Sequence, residues 1–344
     1  MKVLQIMAGD GNGGLENHFA ELSNGLAKLD GVELTAIGHP KYADRFSTAV
    51  NYLSLDLSQS RKNPILLYKL LNTIKEQKPD IVHAQANKAA SMLATVKSYV
   101  PGIKVATLHN QKSSLGMYSS MDAVIGVSSD VLTNVQHPQT RIIYNGMVPF
   151  TGEQLSREQL AQKFRLDINR PITIAVGRLV PTKAFDNLVN AWDSQFGQLV
   201  IFGEGPERET LEKAIRARSM EQDIRLAGFY RGIRGLMSSV DLMVFSSHRE
   251  GYSYAMAEGL LARLPVLSTK VAGAIETLPE EHLIEINNVP ALNLALKNCL
   301  ADMATTRQRM EPVFDWAKQT LSIDNMVMET YRFYSELRSK PKSH

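Results

Sequence analysis

Short apolar runs alternate with longer amphipathic stretches along most of the chain. Apolar runs of four to six residues predict strands that are buried on both faces. Stretches with apolar residues on one helical face, such as 15–29 and 64–77, predict helices that pack on those strands. This alternation predicts an α/β protein with doubly wound parallel sheets. The predicted strands are 2–7, 32–37, 80–84, 105–108, 123–127, 141–144, 172–176, 199–202, 224–226, 242–245, 266–267 and 283–286.

The alternation stops between residues 145 and 170 and then restarts. This stretch holds Gly146, Pro149, Gly152 and a polar run, which are typical of a junction between domains. A chain of 344 residues is long enough for two domains with separate cores. We therefore predict a first Rossmann-like domain at 1–150, a linker at 151–170 and a second Rossmann-like domain that begins at 171.

Composition and charge add few constraints. The balance of 44% hydrophobic and 21% charged residues is that of a globular protein, and no apolar run is long enough to span a membrane. A single cysteine, Cys299, favours a reducing compartment, so we expect a cytoplasmic protein. The first 150 residues hold 14 Lys and Arg against 11 Asp and Glu. This excess indicates either a solvated surface or a weak contact with anionic lipid, and no basic block is dense enough to predict nucleic-acid binding.

The stretch from Ser246 to Leu260 carries the strongest chemical signal. It follows a predicted strand, continues into a predicted helix at 254–261, and holds two carboxylates, Glu250 and Glu258. In doubly wound sheets, ligands bind beyond the carboxyl ends of strands, where helix N-termini favour anions. Carboxylates beside such an anion site suit a diphosphate with hydroxyl-rich groups on both sides. That ligand is a nucleotide sugar.

Two further strand ends of the second half favour the same ligand. Arg178 and Lys183 follow the strand at 172–176, so they lie at the same sheet edge as Glu250 and are suited to hold a diphosphate. Gly203 and Gly205 follow the next strand. These glycines indicate either a base or ribose held close to the backbone or only a tight turn before a helix.

The first predicted strand ends in a glycine-rich loop, in which Gly9, Gly11 and Gly14 satisfy the G-x-G-x-x-G spacing. A dinucleotide site would also need an acidic residue at the end of the second strand. The sequence there is Ile37-Gly38-His39-Pro40, which lacks one. The loop therefore predicts close approach of a phosphate or sugar to the backbone, with a tight packing turn as the alternative.

One histidine of the first half stands at a predicted cleft edge. His109 follows the strand at 105–108, where it is placed either to hydrogen-bond a sugar or to transfer a proton, or to serve as a structural histidine. His83, inside a predicted buried strand, is interpreted as structural. No D-x-D pair or His/Cys cluster has metal-ligand spacing, so we predict no metal and no cofactor. Arg178, Lys183 and helix N-termini would then neutralise the leaving diphosphate.

Several motifs occur in order over nearly the whole chain. They are Gly13-Gly14-Leu15-Glu16, Val127-Ser128, Tyr144-Asn145-Gly146, Gly177-Arg178-Leu179 with Lys183, Gly203-Glu204-Gly205-Pro206, and Glu250 with Glu258. This set resembles the retaining glycosyltransferases of family 4, which have the GT-B fold. The resemblance implies two Rossmann-like domains that face each other across a cleft, the second ending near 322. It also implies a C-terminal helix at 323–344 that returns to the first domain.

The resemblance also implies roles for individual residues. The backbone at Gly13 and Gly14 would approach the donor, while Arg178 and Lys183 would hold its diphosphate. Glu250 would contact the donor sugar beside the backbone of Gly251, Tyr252 and Ser253, Glu258 would bind the ribose, and His109 would lie near the transferred sugar. The implied reaction is metal-independent transfer with retention from a nucleotide sugar, most simply a UDP-sugar. The family-level acceptor is a lipopolysaccharide, capsule or lipid-linked saccharide at the inner membrane face.

Two departures from the family pattern concern details of the site. Thr277-Leu278-Pro279-Glu280-Glu281 replaces the usual glycine-rich acidic continuation, and Gln85 stands where many relatives have a second histidine. Three other functions remain open at this point: a GT-B sugar-nucleotide epimerase, an NAD-dependent oxidoreductase built on the first glycine loop, and a non-catalytic sugar-nucleotide binding protein.

Overall fold

The computed structural model describes residues 1–110, 115–250 and 252–340. The chain forms two compact units. Unit 1 contains Met1–Val148 and the chain from Thr320 onward, and unit 2 contains Pro149–Gln319.

Thirteen strands occur in the described residues, and neighbouring strands of each sheet run parallel. Unit 1 holds β1 (Lys2–Met7), β2 (Glu33–Gly38), β3 (Val50–Ser54), β4 (Ile81–Gln85), β5 (Ile103–Leu108), β6 (Ala123–Gly126) and β7 (Thr140–Ile142). Unit 2 holds β8 (Ile172–Val176), β9 (Gln198–Phe202), β10 (Ile224–Gly228), β11 (Leu242–Phe245), β12 (Val266–Thr269) and β13 (Leu283–Ile284).

The helices lie between these strands and after the last one. They are α1 (Gly14–Leu26), α2 (Pro64–Gln77), α3 (Ala86–Val96), α4 (Ser129–Leu132), α5 (Arg157–Phe164), α6 (Phe185–Ala191), α7 (Arg208–Ala217), α8 (Ile233–Leu236), α9 (Tyr254–Leu261), α10 (Ala272–Ile275), α11 (Val289–Ala301), α12 (Met303–Thr320) and α13 (Ile323–Ser339). None of the helices described here is long and apolar enough to cross a membrane.

In each sheet the order in which the chain adds strands reverses once, and a ligand is expected at the point of reversal. In unit 1 the strand order is β3-β2-β1-β4-β5-β6-β7, so the chain leaves β1 on one side and returns on the other at β4. In unit 2 the order is β10-β9-β8-β11-β12-β13, with the same reversal between β8 and β11. Loops after the two strands at a reversal diverge and leave a crevice at the carboxyl edge.

The C-terminal helix α13 completes the core of unit 1, as the resemblance implied. Its residues Met326, Phe333 and Tyr334 are buried against Phe19 of α1 and one face of the sheet. Gly25 allows the two helices to approach closely, because a Cβ there would lie 2.3 Å from a methyl group of Val327.

The structure adds elements that the sequence pattern did not predict. Strand β3 was missed because its alternation is weak: Val50 is buried, whereas Asn51 and Ser54 are exposed at the sheet edge. The stretch predicted as a linker, 151–170, contains α5, which begins with a Ser156–Gln159 capping box and belongs to unit 2. Helix α6 ends at Ala191, since Trp192 adopts an extended backbone.

Candidate active site

The reversal in unit 2 brings together the two loops that carried the strongest signal in the sequence. The loop after β8 contains Arg178 and Lys183, and the loop after β11 contains Glu250. Since β8 and β11 are adjacent and parallel, both loops leave the same edge of the sheet. Arg178, Lys183 and Glu250 therefore lie at the sheet edge where doubly wound folds form ligand sites.

Lys183 and Glu250 form an ion pair between Nζ and Oε1. Ser247 donates its hydroxyl to the same Oε1 at 2.9 Å. Both charged side chains are largely buried, with 20% of Lys183 and 13% of Glu250 exposed. The carboxylate is therefore held in one orientation by two donors, and the charges compensate each other at a partly desolvated position.

Three hydrogen bonds fix the backbone beneath this ion pair. Ser246 donates its hydroxyl to the carbonyl of Lys183 at 2.9 Å, and the N–H of His248 donates to the carbonyl of Thr182 at 2.9 Å. Thr269, at the end of β12, donates its hydroxyl to the carbonyl of Ser247 at 2.6 Å. The two loops are thus joined to each other and to the next strand, so the ion pair rests on a rigid base.

The first loop also shapes the lysine side chain. A Cβ at Gly177 would lie 3.1 Å from Cε of Lys183, so the stem of the lysine lies directly on the glycine backbone. Ala184 has a left-handed backbone, with φ of 48°, and turns the chain into α6. Arg178 occupies the same loop but is exposed to solvent. The loop therefore presents one anchored cation and one exposed cation.

Gly203 and Gly205 have a structural reason to be glycine, whatever else they do. A Cβ at Gly203 would lie 1.8 Å from the carbonyl oxygen of Gly177, and one at Gly205 would lie 2.3 Å from that of Leu179. The N–H of Leu179 donates to the carbonyl of Glu204 at 2.9 Å. The turn after β9 thus packs against the loop that carries Arg178. Contact of these glycines with a donor stays a prediction.

Glu258 lies on α9, one turn after the helix begins at Tyr254. Its side chain is 21% exposed, and Oε1 lies 3.9 Å from Nε of Arg234. Burial raises the pKa of Glu258, and the nearby charge of Arg234 partly opposes this rise. Arg234, which the sequence analysis did not identify, also stacks over the ring of Phe150. The carboxyl group of Glu258 is therefore partly desolvated, with one cation 3.9 Å away that favours its ionised form.

The residues between the two acids have distinct surroundings. Tyr252 is buried, and its ring centroid lies 6.5 Å from that of Trp316 on α12. Ser253 precedes the first turn of α9 with an extended backbone. Gly251, predicted to contact the donor, lies outside the described residues.

In unit 1, the glycine-rich loop after β1 is held by a carboxylate from its own helix. Gly13 caps α1, and its N–H donates to Oε2 of Glu16 at 2.8 Å. A Cβ at Gly11 would lie 2.4 Å from Oε1 of Glu16, so this carboxyl group lies against the loop. Tyr42 adds a hydrogen bond from its hydroxyl to the carbonyl of Gly11 at 2.9 Å. Gly14 is the first residue of α1.

His109 lies just beyond β5 in a cluster of buried polar side chains. Its Nε2 lies 3.1 Å from Oε1 of Gln85, and its ring meets that of His18 edge-on at 4.7 Å between centroids. Burial lowers the pKa of His109 well below its usual value, and the neighbouring rings of His18 and His83 lower it further. His109 is therefore neutral near pH 7. His83 is fully buried between Tyr334 and Thr107, in agreement with its structural interpretation.

Comparison with known proteins assigns the chain to a class. Residues 12–149 match the family model Glycosyltransferase Family 4, and residues 156–312 match Glycosyl transferases group 1. The chain is a glycosyltransferase of the GT-B type. The matches cover most of both units, and the enzyme is therefore not the NAD-dependent oxidoreductase that its first glycine loop alone would allow.

Two distant relatives of this glycosyltransferase match it over most of its length. It is 26% identical over 315 residues to the lipopolysaccharide core biosynthesis glycosyltransferase LpsE of Rhizobium meliloti, which covers 88% of this chain and 89% of LpsE. LpsD of the same organism is 22% identical over 96% of this chain and 97% of its own length. Anabaena HepE, solved in complex with UDP, has a TM-score of 0.82 and 19% identity over 98% of this chain and 100% of HepE. This last likeness shows the GT-B fold of the glycosyltransferase.

Several residues that contact the predicted site residues within each unit were not identified from the sequence. Ser247 is one of many serines, and its role depends on the turn that faces it toward Glu250. Arg234 comes from α8, a helix of only four residues. His18 had a usable signal, because helical spacing places it one turn after Gly14 on the buried face of α1. Among the described residues, no three His, Cys, Asp or Glu side chains are grouped in a way that would hold a metal ion.

Proposed function

We propose that this enzyme transfers a sugar from a UDP-sugar, with retention of anomeric configuration and without a metal ion. Its acceptor is a saccharide of lipopolysaccharide or another cell-envelope polysaccharide. The observation that carries the proposal is the Lys183–Glu250 pair at the strand reversal of unit 2, oriented by Ser247.

This pair offers complementary chemistry to a nucleotide sugar. The ammonium group of Lys183 is suited to a diphosphate oxygen, and the carboxylate of Glu250 accepts from sugar hydroxyls. Glu258, a few residues further along the same loop and helix, supplies a second carboxylate for ribose hydroxyls. Two acids and a cation on one sheet edge therefore match a ligand with hydroxyl groups on both sides of a diphosphate.

The nucleotide and the acceptor are proposed by analogy with the relatives. HepE was solved with UDP, and LpsE and LpsD are named for lipopolysaccharide core biosynthesis. Because these relatives match this enzyme over most of their length, UDP-sugars and core saccharides are the first substrates to test.

The proposal of metal independence rests on the cations of the first loop. Lys183 and the exposed Arg178 supply positive charge where a leaving diphosphate needs it, as a metal ion does in other transferases. Transfer that persists in excess EDTA is the expected result. The anomeric configuration of the product, read by NMR before mutarotation, tests retention.

Paired substitutions test the proposed site. Lys183→Ala is expected to weaken UDP binding at least tenfold, because a charged hydrogen bond contributes about 1.5–3 kcal/mol. Glu250→Ala is expected to retain UDP binding in calorimetry but to lose transfer by a factor of about 100 or more, since its partner is the sugar. Arg263→Ala and Glu311→Ala are matched controls, because these residues form an exposed ion pair at the amino end of β12.

The controls should leave UDP affinity and turnover unchanged. Normal transfer in both Lys183→Ala and Glu250→Ala would remove the proposed site. Conversion of a UDP-sugar into its epimer without an acceptor and without accumulation of free UDP would instead favour the sugar-nucleotide epimerase.

We also propose that unit 1 contacts the inner face of the cytoplasmic membrane through the exposed side of α2. Ile65 and Tyr68, one turn apart, are 65% and 66% exposed, and Tyr99 lies nearby under the ammonium group of Lys75 at 5.7 Å. Exposed apolar and aromatic groups beside lysines suit an anionic lipid surface. Ile65→Ser with Tyr68→Ser should reduce flotation with phosphatidylglycerol vesicles while leaving transfer to a water-soluble acceptor unchanged. Equal flotation of the variant would exclude this face.

A further inference from the structure

The polar cluster around His109 forms an ordered chain of side-chain amides. Nε2 of Gln85 donates to Oε1 of Gln5 at 2.9 Å, which leaves Oε1 of Gln85 facing Nε2 of His109 at 3.1 Å. Gln5 and Gln85 are buried in adjacent strands, β1 and β4, at the reversal of the unit 1 sheet. The amide of Gln85 thus contacts a side chain at each end, and in this orientation its oxygen faces His109.

An amide oxygen only accepts hydrogen bonds, so the ring nitrogen that faces it must carry a proton. His109 is neutral, because desolvation and the nearby rings of His18 and His83 lower its pKa. A neutral imidazole has one N–H and one lone pair. With the proton on Nε2, the lone pair of His109 is on Nδ1.

We propose that Gln85, oriented by Gln5, is a positioning residue that holds His109 as the Nε2–H tautomer. His109 then meets a substrate as a neutral group with its lone pair on Nδ1, and not as an imidazolium that donates protons. Of the roles that the sequence left open for His109, this tautomer excludes proton donation by an imidazolium and keeps hydrogen bonding to a sugar or acceptance of a proton at Nδ1. The relevance of the tautomer to transfer rests on the proposed function, but the tautomer itself does not.

His18 contributes a second constraint on the ring. It meets His109 edge-on, at an interplanar angle of 84°, and is itself 3% exposed. Burial lowers the pKa of His18 to about 4, although the amide of nearby Asn145 opposes this change. Desolvation disfavours a charge on either ring, so the cluster is consistent with an uncharged His109 near neutral pH.

The tautomer can be measured directly on the ligand-free protein by long-range proton–nitrogen NMR with ¹⁵N-labelled histidine rings. His109→Asn assigns the signal. His282 is an internal reference, because its Nδ1 lies 2.8 Å from the carbonyl oxygen of Val266 and must therefore carry the proton. The expected spectrum at pH 7 shows Nε2–H for His109 and Nδ1–H for His282.

Two substitutions of Gln85 separate the hydrogen bond from the packing. Gln85→Leu removes the acceptor and should give His109 a mixture of tautomers, with the His282 signal unchanged. Gln85→Glu keeps an acceptor, so Nε2–H should persist, and the new carboxylate should raise the pH at which His109 titrates. Nδ1–H or an imidazolium in the wild type, or a wild-type tautomer in Gln85→Leu, would overturn the proposal.

Kinetics then distinguish this proposal from the proposed function. If His109 contacts the transferred sugar, Gln85→Leu should lower kcat about fivefold, the factor that one hydrogen bond contributes, with a smaller change in the donor KM. Gln85→Glu should recover part of that loss. If Gln85→Leu changes the tautomer of His109 but not kcat, Gln85 still positions His109, and His109 takes no part in the transfer reaction.

Discussion

The buried histidine His83 makes the stability of unit 1 sensitive to acid. Its Nδ1 lies 2.5 Å from the hydroxyl of Tyr334, and its Nε2 lies 2.6 Å from the hydroxyl of Thr107. Burial lowers the pKa of His83 to about 3, from an ordinary value of 6.5. The folded chain therefore keeps this ring neutral at pH values where the unfolded chain protonates it.

The size and sign of the effect follow from this difference. Between about pH 6.5 and pH 3, the unfolded chain binds one more proton at His83 than the folded chain does. The free energy of unfolding therefore falls with decreasing pH by about 1.4 kcal/mol per pH unit in this window. Between pH 7 and pH 5 the loss from His83 alone is about 2 kcal/mol. The contribution is complete above the unfolded value and disappears as the pH approaches the folded one.

His83→Gln removes the titrating ring. Between pH 7 and pH 5, the free energy of unfolding of unit 1 should therefore fall by about 2 kcal/mol less in the variant than in the wild type, whatever the stability of the variant at pH 7. Urea unfolding from pH 7 to pH 5, followed by circular dichroism, measures the slope. Trp192 and Trp316 both lie in unit 2, so their fluorescence separates the transition of that unit. Tyr334→Phe is the matched control, because it removes a hydrogen bond to His83 but leaves the titrating ring in place. Equal slopes for wild type and His83→Gln would refute the reasoning.

Two further substitutions test, by thermal unfolding, the turn after β9 in unit 2 and the glycine-rich loop after β1 in unit 1. Gly203→Ala should destabilise unit 2 by more than about 2 kcal/mol, because the backbone φ of Gly203 is 150° and the carbonyl of Gly177 leaves no room for a methyl group. Gly116→Ala is the control and should have almost no effect, because no atom beyond its own residue and its two chain neighbours lies within 4 Å of the Cβ that it adds. Glu16→Ala should lower the free energy of unfolding of unit 1 by about 1 kcal/mol, because it removes the hydrogen bond to the N–H of Gly13. Glu16→Gln should retain most of the stability. Equal melting temperatures for both variants would exclude the capping role.

The sequence predicted the elements whose ends carry strong local signals. Helix α2 begins at Pro64 after Asn63, whose side chain accepts from the N–H of Ile65, and it ends at Gln77 as predicted. Strand β11 and helix α9 also have their predicted bounds. Proline, a capping side chain and a continuous apolar run each act within a few residues, which is why a local pattern was sufficient.

The parts that the sequence did not predict depend on distant neighbours. β3 is defined by its pairing with β2, since only Val50 among its residues is fully buried. The importance of Gln85 was visible only as a departure from a family pattern, and its partner Gln5 lies 80 residues away. The contact of His18 with His109 likewise joins a helix to a strand end. No window of local sequence contains such pairs, so the chemistry of the unit 1 cluster required the fold.

The ion pair of unit 2 shows how the fold changes the meaning of predicted residues. Lys183 and Glu250 are 67 residues apart, and the sequence placed both at one sheet edge as separate ligand contacts. In the structure each is the other's partner, because a charge at so desolvated a position is costly without a counter-charge. A UDP-sugar offers phosphate oxygens to the lysine and hydroxyls to the carboxylate, so both groups exchange one partner for another without being left unpaired. This exchange is why we expect Glu250→Ala to leave UDP binding intact, since it removes the competitor for Lys183, and Lys183→Ala to weaken it.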